Sequence, residues 1–272
     1  YANERILQRL SLSVHAESFV LKGAALFTLW TGRPHRATRD LDLLGFGSDD
    51  IEHVRAVFRE ILSLNAEPDG VEFDVETLAV SAIREDQDYG GARVVAIAKI
   101  AAARIRLQID IGYGDAITPG AEWVEFPPLL ALHGPKLRAY PRETVVAEKV
   151  EAMVQLGLAN SRMKDFFDVA LLARMFDFDG ARVAAAIRAT FDRRCTALPD
   201  GTPVAWTAAF TEHADKQTQW NAFLRKSGAT TTLSSLGATA EAITHFAGPA
   251  LVAAAGPKRW NARWTAGGTW LE

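Results

Sequence analysis

Asp40-Leu41-Asp42, inside the run Arg36-Ala37-Thr38-Arg39-Asp40-Leu41-Asp42-Leu43-Leu44, places two carboxylates one residue apart. On a β-strand alternate side chains share a face, so both acids project together while their apolar neighbours turn to the other side. The run therefore reads as a strand whose polar edge is kept for chemistry, and two adjacent carboxylates are a seat for a hard divalent cation. Magnesium suits such a seat because it takes oxygen ligands, retains waters and accepts phosphate oxygens in its remaining positions. The pair alone decides little, since exposed carboxylates are common. A third acid is placed by Arg104-Ile105-Arg106-Leu107-Gln108-Ile109-Asp110-Ile111-Gly112, which alternates cleanly and sets Asp110 on a polar strand face beside Gln108.

Two further residues break the pattern of their surroundings. At about 100° per residue, Lys149 falls inside the apolar stripe of Val145, Val146, Val150, Met153 and Leu156, with Glu148 and Glu151 turned the other way. An inward lysine must snorkel, lose its proton or meet an anion, because burying an unpaired ammonium is costly. Its anion is either a nucleotide phosphate or a core carboxylate. Asp165 heads a column with Val169 and Leu172 at i+4 and i+7, so it is an acid in need of a partner such as Lys149. Lys164 and Asp168 read as an ordinary solvated i,i+4 pair.

The elements that must position these residues alternate in the first half and become helical in the second. An amphipathic segment around Ile6, Leu7 and Leu10 leads to a short strand, Phe19-Val20-Leu21, which breaks at Lys22-Gly23. A helix follows from Ala24 to Trp30 and stops at Gly32-Arg33-Pro34. Ser48-Asp49-Asp50 caps a helix through Val54, Phe58, Ile61 and Leu62, and the 71–80 and 92–112 regions are extended. From Pro141 the pattern is almost wholly helical. The expected class is α+β, a mixed sheet with flanking helices over 1–135 followed by a mainly helical domain over 136–272. The tail around Trp260 and Trp264 mixes cations with tryptophans; a snorkelling surface tail is favoured over a platform for single-stranded bases.

Composition narrows the function classes. A chain of 272 residues, 49% hydrophobic, has enough apolar content for two modest cores, and a net charge of −3 supplies no global basic field for nucleic acid. The lone Cys195 excludes an internal disulfide framework and a cysteine zinc site, which fits a reducing compartment. No apolar run approaches the ~18 residues of a membrane span, and the start has no signal-peptide layout. A cytoplasmic protein with no membrane partner is expected.

Taken in order, Phe19-Val20-Leu21-Lys22-Gly23-Ala24-Ala25-Leu26, Arg36-x-Thr38-x-Asp40-x-Asp42, Gln108-Ile109-Asp110-Ile111-Gly112-Tyr113-Gly114-Asp115, Ala147-Glu148-Lys149-Val150-Glu151-Ala152 and Arg162-Met163-Lys164-Asp165-Phe166-Phe167-Asp168 resemble the blocks of the AbiEii/AbiGii toxin-like nucleotidyltransferases. That family includes the MenT toxins and belongs to the DNA polymerase β-like superfamily. One departure is Ala24, where the family usually has a second glycine. The resemblance implies a polymerase-β-like sheet and transfer of a nucleoside monophosphate from an NTP, with pyrophosphate leaving. It further implies Mg2+ (or Mn2+) on Asp40, Asp42 and Asp110, phosphate contacts from Gly23, Lys22, Arg36, Thr38 and Lys149, and Asp165 orienting Lys149 or the nucleotide. The implied acceptor is RNA, the 3′ end of tRNA, held by the helical half, and the implied partner is a co-encoded antitoxin. A small-molecule acceptor, as in aminoglycoside-type enzymes, is the alternative, and a catalytically silent nucleotide- or antitoxin-binding module is a third. Adjacent acids on one strand do not match the ~5–9.5 Å carboxyl separations of glycosidases.

Overall fold

Strand formation here follows from strict alternation: Leu107, Ile109 and Ile111 are buried on one side while Arg106, Gln108 and Asp110 stand on the other. The computed structural model describes residues 1–32, 40–83, 90–227 and 235–272. The chain divides into two units, Tyr1–Asp115 with Ala121–Tyr140, and Ala116–Gly120 with Pro141–Glu272.

The first unit contains helices α1 (Ala2–Leu12), α2 (Ala25–Thr31) and α3 (Ile51–Ser63), and strands β1 (Phe19–Lys22), β2 (Asp40–Gly45), β3 (Val71–Ile83), β4 (Gly91–Ile100), β5 (Ala103–Tyr113), β6 (Glu122–Glu125) and β7 (Lys136–Ala139). The strands form one mixed sheet in the order β3-β4-β5-β2-β1-β7-β6. β2 runs parallel to β5 and antiparallel to β1, so the middle of the sheet brings together segments distant in sequence. Helices α1 and α3 cover the apolar side; α3 packs on β3 and β4, and the Phe58 ring meets Phe19 edge-on at 5.6 Å between centroids. Asp50 caps α3 by accepting from the His53 N–H at 2.9 Å. Gly32 ends α2 in the left-handed region, φ 72°, with its N–H on Thr28 O. The extended 92–112 region proves to be two antiparallel strands joined at Ala101-Ala102.

The second unit is built on α4 (Arg142–Leu156), α5 (Met163–Met175), α6 (Gly180–Arg193), α7 (Ala208–Thr211), α8 (Ala214–Ser227) and α9 (Leu236–Ala255), with short strands β8 (Phe178–Asp179), β9 (Arg263–Trp264) and β10 (Trp270–Leu271). α4 packs against both α5 and α6, so it is buried nearly all round. This corrects the expectation for Glu151. It does not face solvent but is fully buried, with Arg194 Nη1 2.8 Å from its Oε2 and Thr196 donating to Oε1. The aromatic tail is likewise not a snorkelling surface segment. Trp264 is buried, its indole N–H donates to Ala173 O at 2.6 Å, and its ring lies 5.0 Å from Phe246; the Trp270 N–H donates to Phe246 O. Burial of Trp264 also removes its ring from any base-stacking platform. No described helix is long and apolar enough to cross a membrane.

Candidate active site

Pairing across four strands of the first unit sets one row of charged residues on the side of the sheet opposite the buried Leu107, Ile109 and Ile111. Lys22 on β1 is opposite Asp42 on β2, Asp42 is opposite Asp110 on β5, and Asp110 is opposite Arg93 on β4. Neighbouring strands lie about 4.8 Å apart, so the two carboxylates in the middle of the row are held side by side by backbone pairing alone. Asp40, exposed, shares their face two residues along β2 and is opposite Gln108.

The turn after β1 is shaped around Asp42. Gly23 sits at φ +73°, and a Cβ there would fall 2.0 Å from Asp42 Oδ2, so the carboxylate lies directly on the glycine backbone and no larger residue fits. Ala24 has ordinary helical angles, φ −68° and ψ −24°, so a second glycine is not required by the backbone at that position. Lys22 leans along the sheet to pair with Asp115, Nζ to Oδ2 2.7 Å, over Gly112, where a Cβ would come within 3.3 Å of Nζ. Its ammonium is 5.9 Å from the Tyr140 ring centroid.

Asp110 is clasped by a guanidinium fork. Arg93 Nε donates to Oδ1 at 2.8 Å and Nη2 to Oδ2 at 2.7 Å, while Gln108 Nε2 approaches the same oxygens at 3.3 and 3.4 Å. The hydrogen bond to Asp110 raises the Arg93 pKa, partial burial opposes this, and the charges of Asp110 and Asp40 add to the rise. Among the described residues Asp40, Asp42, Asp110 and Asp115 stand around the row together with the cations Lys22, Arg93 and Arg106, the last donating from Nη1 to Gln108 Oε1 at 3.2 Å. The all-oxygen donor set of these acids fits a hard divalent cation. Among the described residues no three carboxylate, imidazole or thiolate groups are gathered closely enough to hold an ion by themselves. A magnesium ion on the β2 acids would complete its shell with phosphate oxygens and water, as that ion usually does.

The second unit holds the other candidates in a cluster of its own. Lys149 Nζ is 2.7 Å from Asp165 Oδ1 and 3.0 Å from Asp168 Oδ2, and Arg162 Nε is 3.2 Å from Asp165 Oδ2. Asp165 and Asp168 side chains are 4% and 1% exposed, Lys149 13%. Burial pulls the pKa of the ammonium down, but the charges of Asp165 and Asp168 more than reverse that and raise it. Lys149 and Asp165 are thus partners, and Asp168 is the third member rather than half of a solvated pair with the exposed Lys164.

Lys22, Gly23, Asp40, Asp42 and Asp110 therefore come together on one face, while Arg36 and Thr38 lie outside the described residues. Sequence reasoning missed Arg93, Asp115 and Asp168. Arg93 had a signal, a lone charge between Ala92 and Val94 in a run of alternating burial. Asp168 had one as well, since i,i+3 from Asp165 is the same helix face.

A model of the family described as nucleotidyl transferase AbiEii toxin, type IV toxin–antitoxin system, matches residues 5–245. The chain belongs to this family. It is accordingly an AbiEii-family nucleotidyltransferase of a type IV toxin–antitoxin system. No curated protein matches the sequence significantly. Two solved structures from Helicobacter pylori are similar in fold, the protein JHP933 and a candidate nucleotidyltransferase. Each is 16% identical with a TM-score of 0.53 over 93% of this chain, which spans 92% and 95% of theirs respectively. At that identity the likeness bears on the fold, and the mixed sheet followed by a helical half agrees with it.

Proposed function

We propose that this AbiEii nucleotidyltransferase transfers a nucleoside monophosphate from an NTP to RNA, at the 3′ end of tRNA, in the cytoplasm, and is restrained by a co-encoded antitoxin. The observation that carries the reading is the side-by-side placement of Asp42 and Asp110, with Asp40 on the same face and Gly23 cleared of a side chain beneath Asp42. In the reaction the acceptor hydroxyl oxygen attacks the α-phosphorus, the bond from that phosphorus to the bridging oxygen breaks, and pyrophosphate leaves. Asp40 and Asp42, with Asp110, would hold Mg2+ or Mn2+, which when bound neutralises phosphate oxygens in such displacements. Asp110 takes the proton of the attacking hydroxyl. The Gly23 turn admits a phosphate close to the backbone, and Lys22, with Arg36 and Thr38, supplies donors to it. Lys149 has three N–H donors and commits two to Asp165 and Asp168, which leaves one for the triphosphate, with Asp165 fixing its direction. The catalytic contribution of the row is positioning and electrostatics rather than covalent chemistry.

The test is incubation of the protein with each of four labelled NTPs, total tRNA and Mg2+. Label should enter RNA with the wild-type protein and be lost with Asp42→Asn, whose circular dichroism and melting should remain those of a folded protein. Full transfer by a folded Asp42→Asn protein overturns the site; label found on a small metabolite and never on RNA replaces the acceptor.

A further inference from the structure

The Arg93–Asp110 pair does something that stability does not explain. Arg93 is 41% exposed and Asp110 24%. An ion pair so open to water contributes only about 0–1 kcal/mol. Yet its geometry is a full fork, with both carboxylate oxygens taken at 2.7–2.8 Å, and Gln108 leans on the same two oxygens. The pair also sits at the end of a row in which Asp110 would otherwise face Asp42 with no cation on its far side. A guanidinium fork matches a phosphate as well as it matches a carboxylate.

We infer that Arg93 is a positioning residue that occupies Asp110 while the nucleotide is absent and passes to the triphosphate when it binds, so that Asp110 is released to the divalent cation only together with substrate. This rests on the function proposed above. With its oxygens committed to Arg93, Asp110 offers a cation neither a bidentate grip nor its full charge. An arriving triphosphate offers Arg93 the same planar arrangement of acceptors, and the exchange couples cation binding to nucleotide binding. A device of this kind keeps the site from loading with metal and water alone.

The experiment is a calorimetric titration of the full chain with Mn2+, without nucleotide and with a non-hydrolysable NTP analogue. In the wild-type protein the analogue should tighten Mn2+ binding. In Arg93→Gln, Mn2+ binding without nucleotide should tighten about tenfold and the enhancement by the analogue should shrink correspondingly. Arg93→Lys, which keeps the charge but not the fork, should tighten it a few-fold and serves as the second variant if Arg93→Gln does not fold. Unchanged or weaker nucleotide-free Mn2+ affinity in the folded variants overturns the inference. That failure is separable from failure of the underlying reading, which is signalled instead by no Mn2+ binding to the wild-type protein with analogue present, or by full transfer in Asp42→Asn.

Discussion

Replacing Lys149 by methionine isolates what the buried cluster of the helical unit is for. The substitution keeps the aliphatic stem and removes the ammonium from the Asp165 and Asp168 carboxylates, 4% and 1% exposed; Asp165 keeps Arg162 at 3.2 Å, itself 52% exposed. Removing one partner of a buried pair costs about 3–5 kcal/mol because the remaining charge stays uncompensated. Two acids on one lysine argue for the middle of that range or above, about 4 kcal/mol, and a fall in melting temperature of roughly 10 °C. The pH dependence supplies a second signature. The folded pKa of Lys149 is raised, so its contribution is fully present below the unfolded value of about 10.4 and is lost only as the pH rises beyond it. The wild-type protein consequently owes this group no slope between about pH 6 and 9. Urea unfolding of both proteins at several pH values measures it, and adding Asp168→Asn to the variant should restore part of the loss. A variant within about 1 kcal/mol of wild type at pH 7 would refute the reasoning and show that the cluster does not need its ammonium. Activity lost with Lys149 therefore counts towards nucleotide binding only at temperatures where the variant is folded.

Three further outcomes follow from particular contacts. Gly23→Ala combines a left-handed φ of +73° with a Cβ 2.0 Å from Asp42 Oδ2, so it should cost about 1–3 kcal/mol and, by displacing Asp42, depress nucleotidyl transfer far more than melting. Tyr113 has its pKa pushed up to about 12 by burial and then by the charge of Asp49; tyrosinate absorbance should show a phenol ionising well above the ordinary value near 10 that is lost in Tyr113→Phe. Because that folded pKa is raised, its effect on stability is present below about pH 10 and fades as the pH climbs towards 12. Trp264→Ala should cost about 3–5 kcal/mol by emptying a buried site, measured by thermal melting; a near-neutral change would restore the surface-tail reading.

What the sequence disclosed and what it hid divide along one line: local periods are legible, pairings between distant segments are not. The alternation around Asp40, Asp42 and Asp110 identifies their face because side-chain direction on a strand has period two. Which residues stand beside them depends on register, and nothing within β1, β2, β4 or β5 announces that Lys22, Asp42, Asp110 and Arg93 share a row. The β4–β5 hairpin was hidden for a different reason. It turns at Ala101, φ 50°, without the glycine or asparagine that ordinarily marks a left-handed position, so 92–112 reads as one extended stretch. Glu151 misled because a charged residue off the apolar stripe is normally solvated, whereas α6 packs on α4 and Arg194, the residue after its last turn, pairs with the acid. Lys149 and Asp165 were legible as partners since each was a charge out of place on its own helix; Asp168, flanked by Phe167 and Val169, looked like the polar side of that helix.

The charge balance of the row also constrains how substrate and cation arrive. Two described cations beside the acids are already engaged, Lys22 with Asp115 and Arg93 with Asp110. Neither can turn to a phosphate without uncovering a carboxylate, so an NTP approaching alone meets a face whose negative charge grows as its own contacts form. Like charges about 4 Å apart repel by about 1 kcal/mol even in bulk water and by about 4 kcal/mol at an effective dielectric of 20. A divalent cation held by the β2 acids would reverse that sign. On the proposed function, then, nucleotide and cation bind as a unit because Lys22 and Arg93 are each engaged by an acid of the row. NTP binding measured in a chelator should be weak in the wild-type protein and should improve when Asp42 is changed to Asn, even as transfer is lost; tight metal-free binding would contradict the charge argument directly.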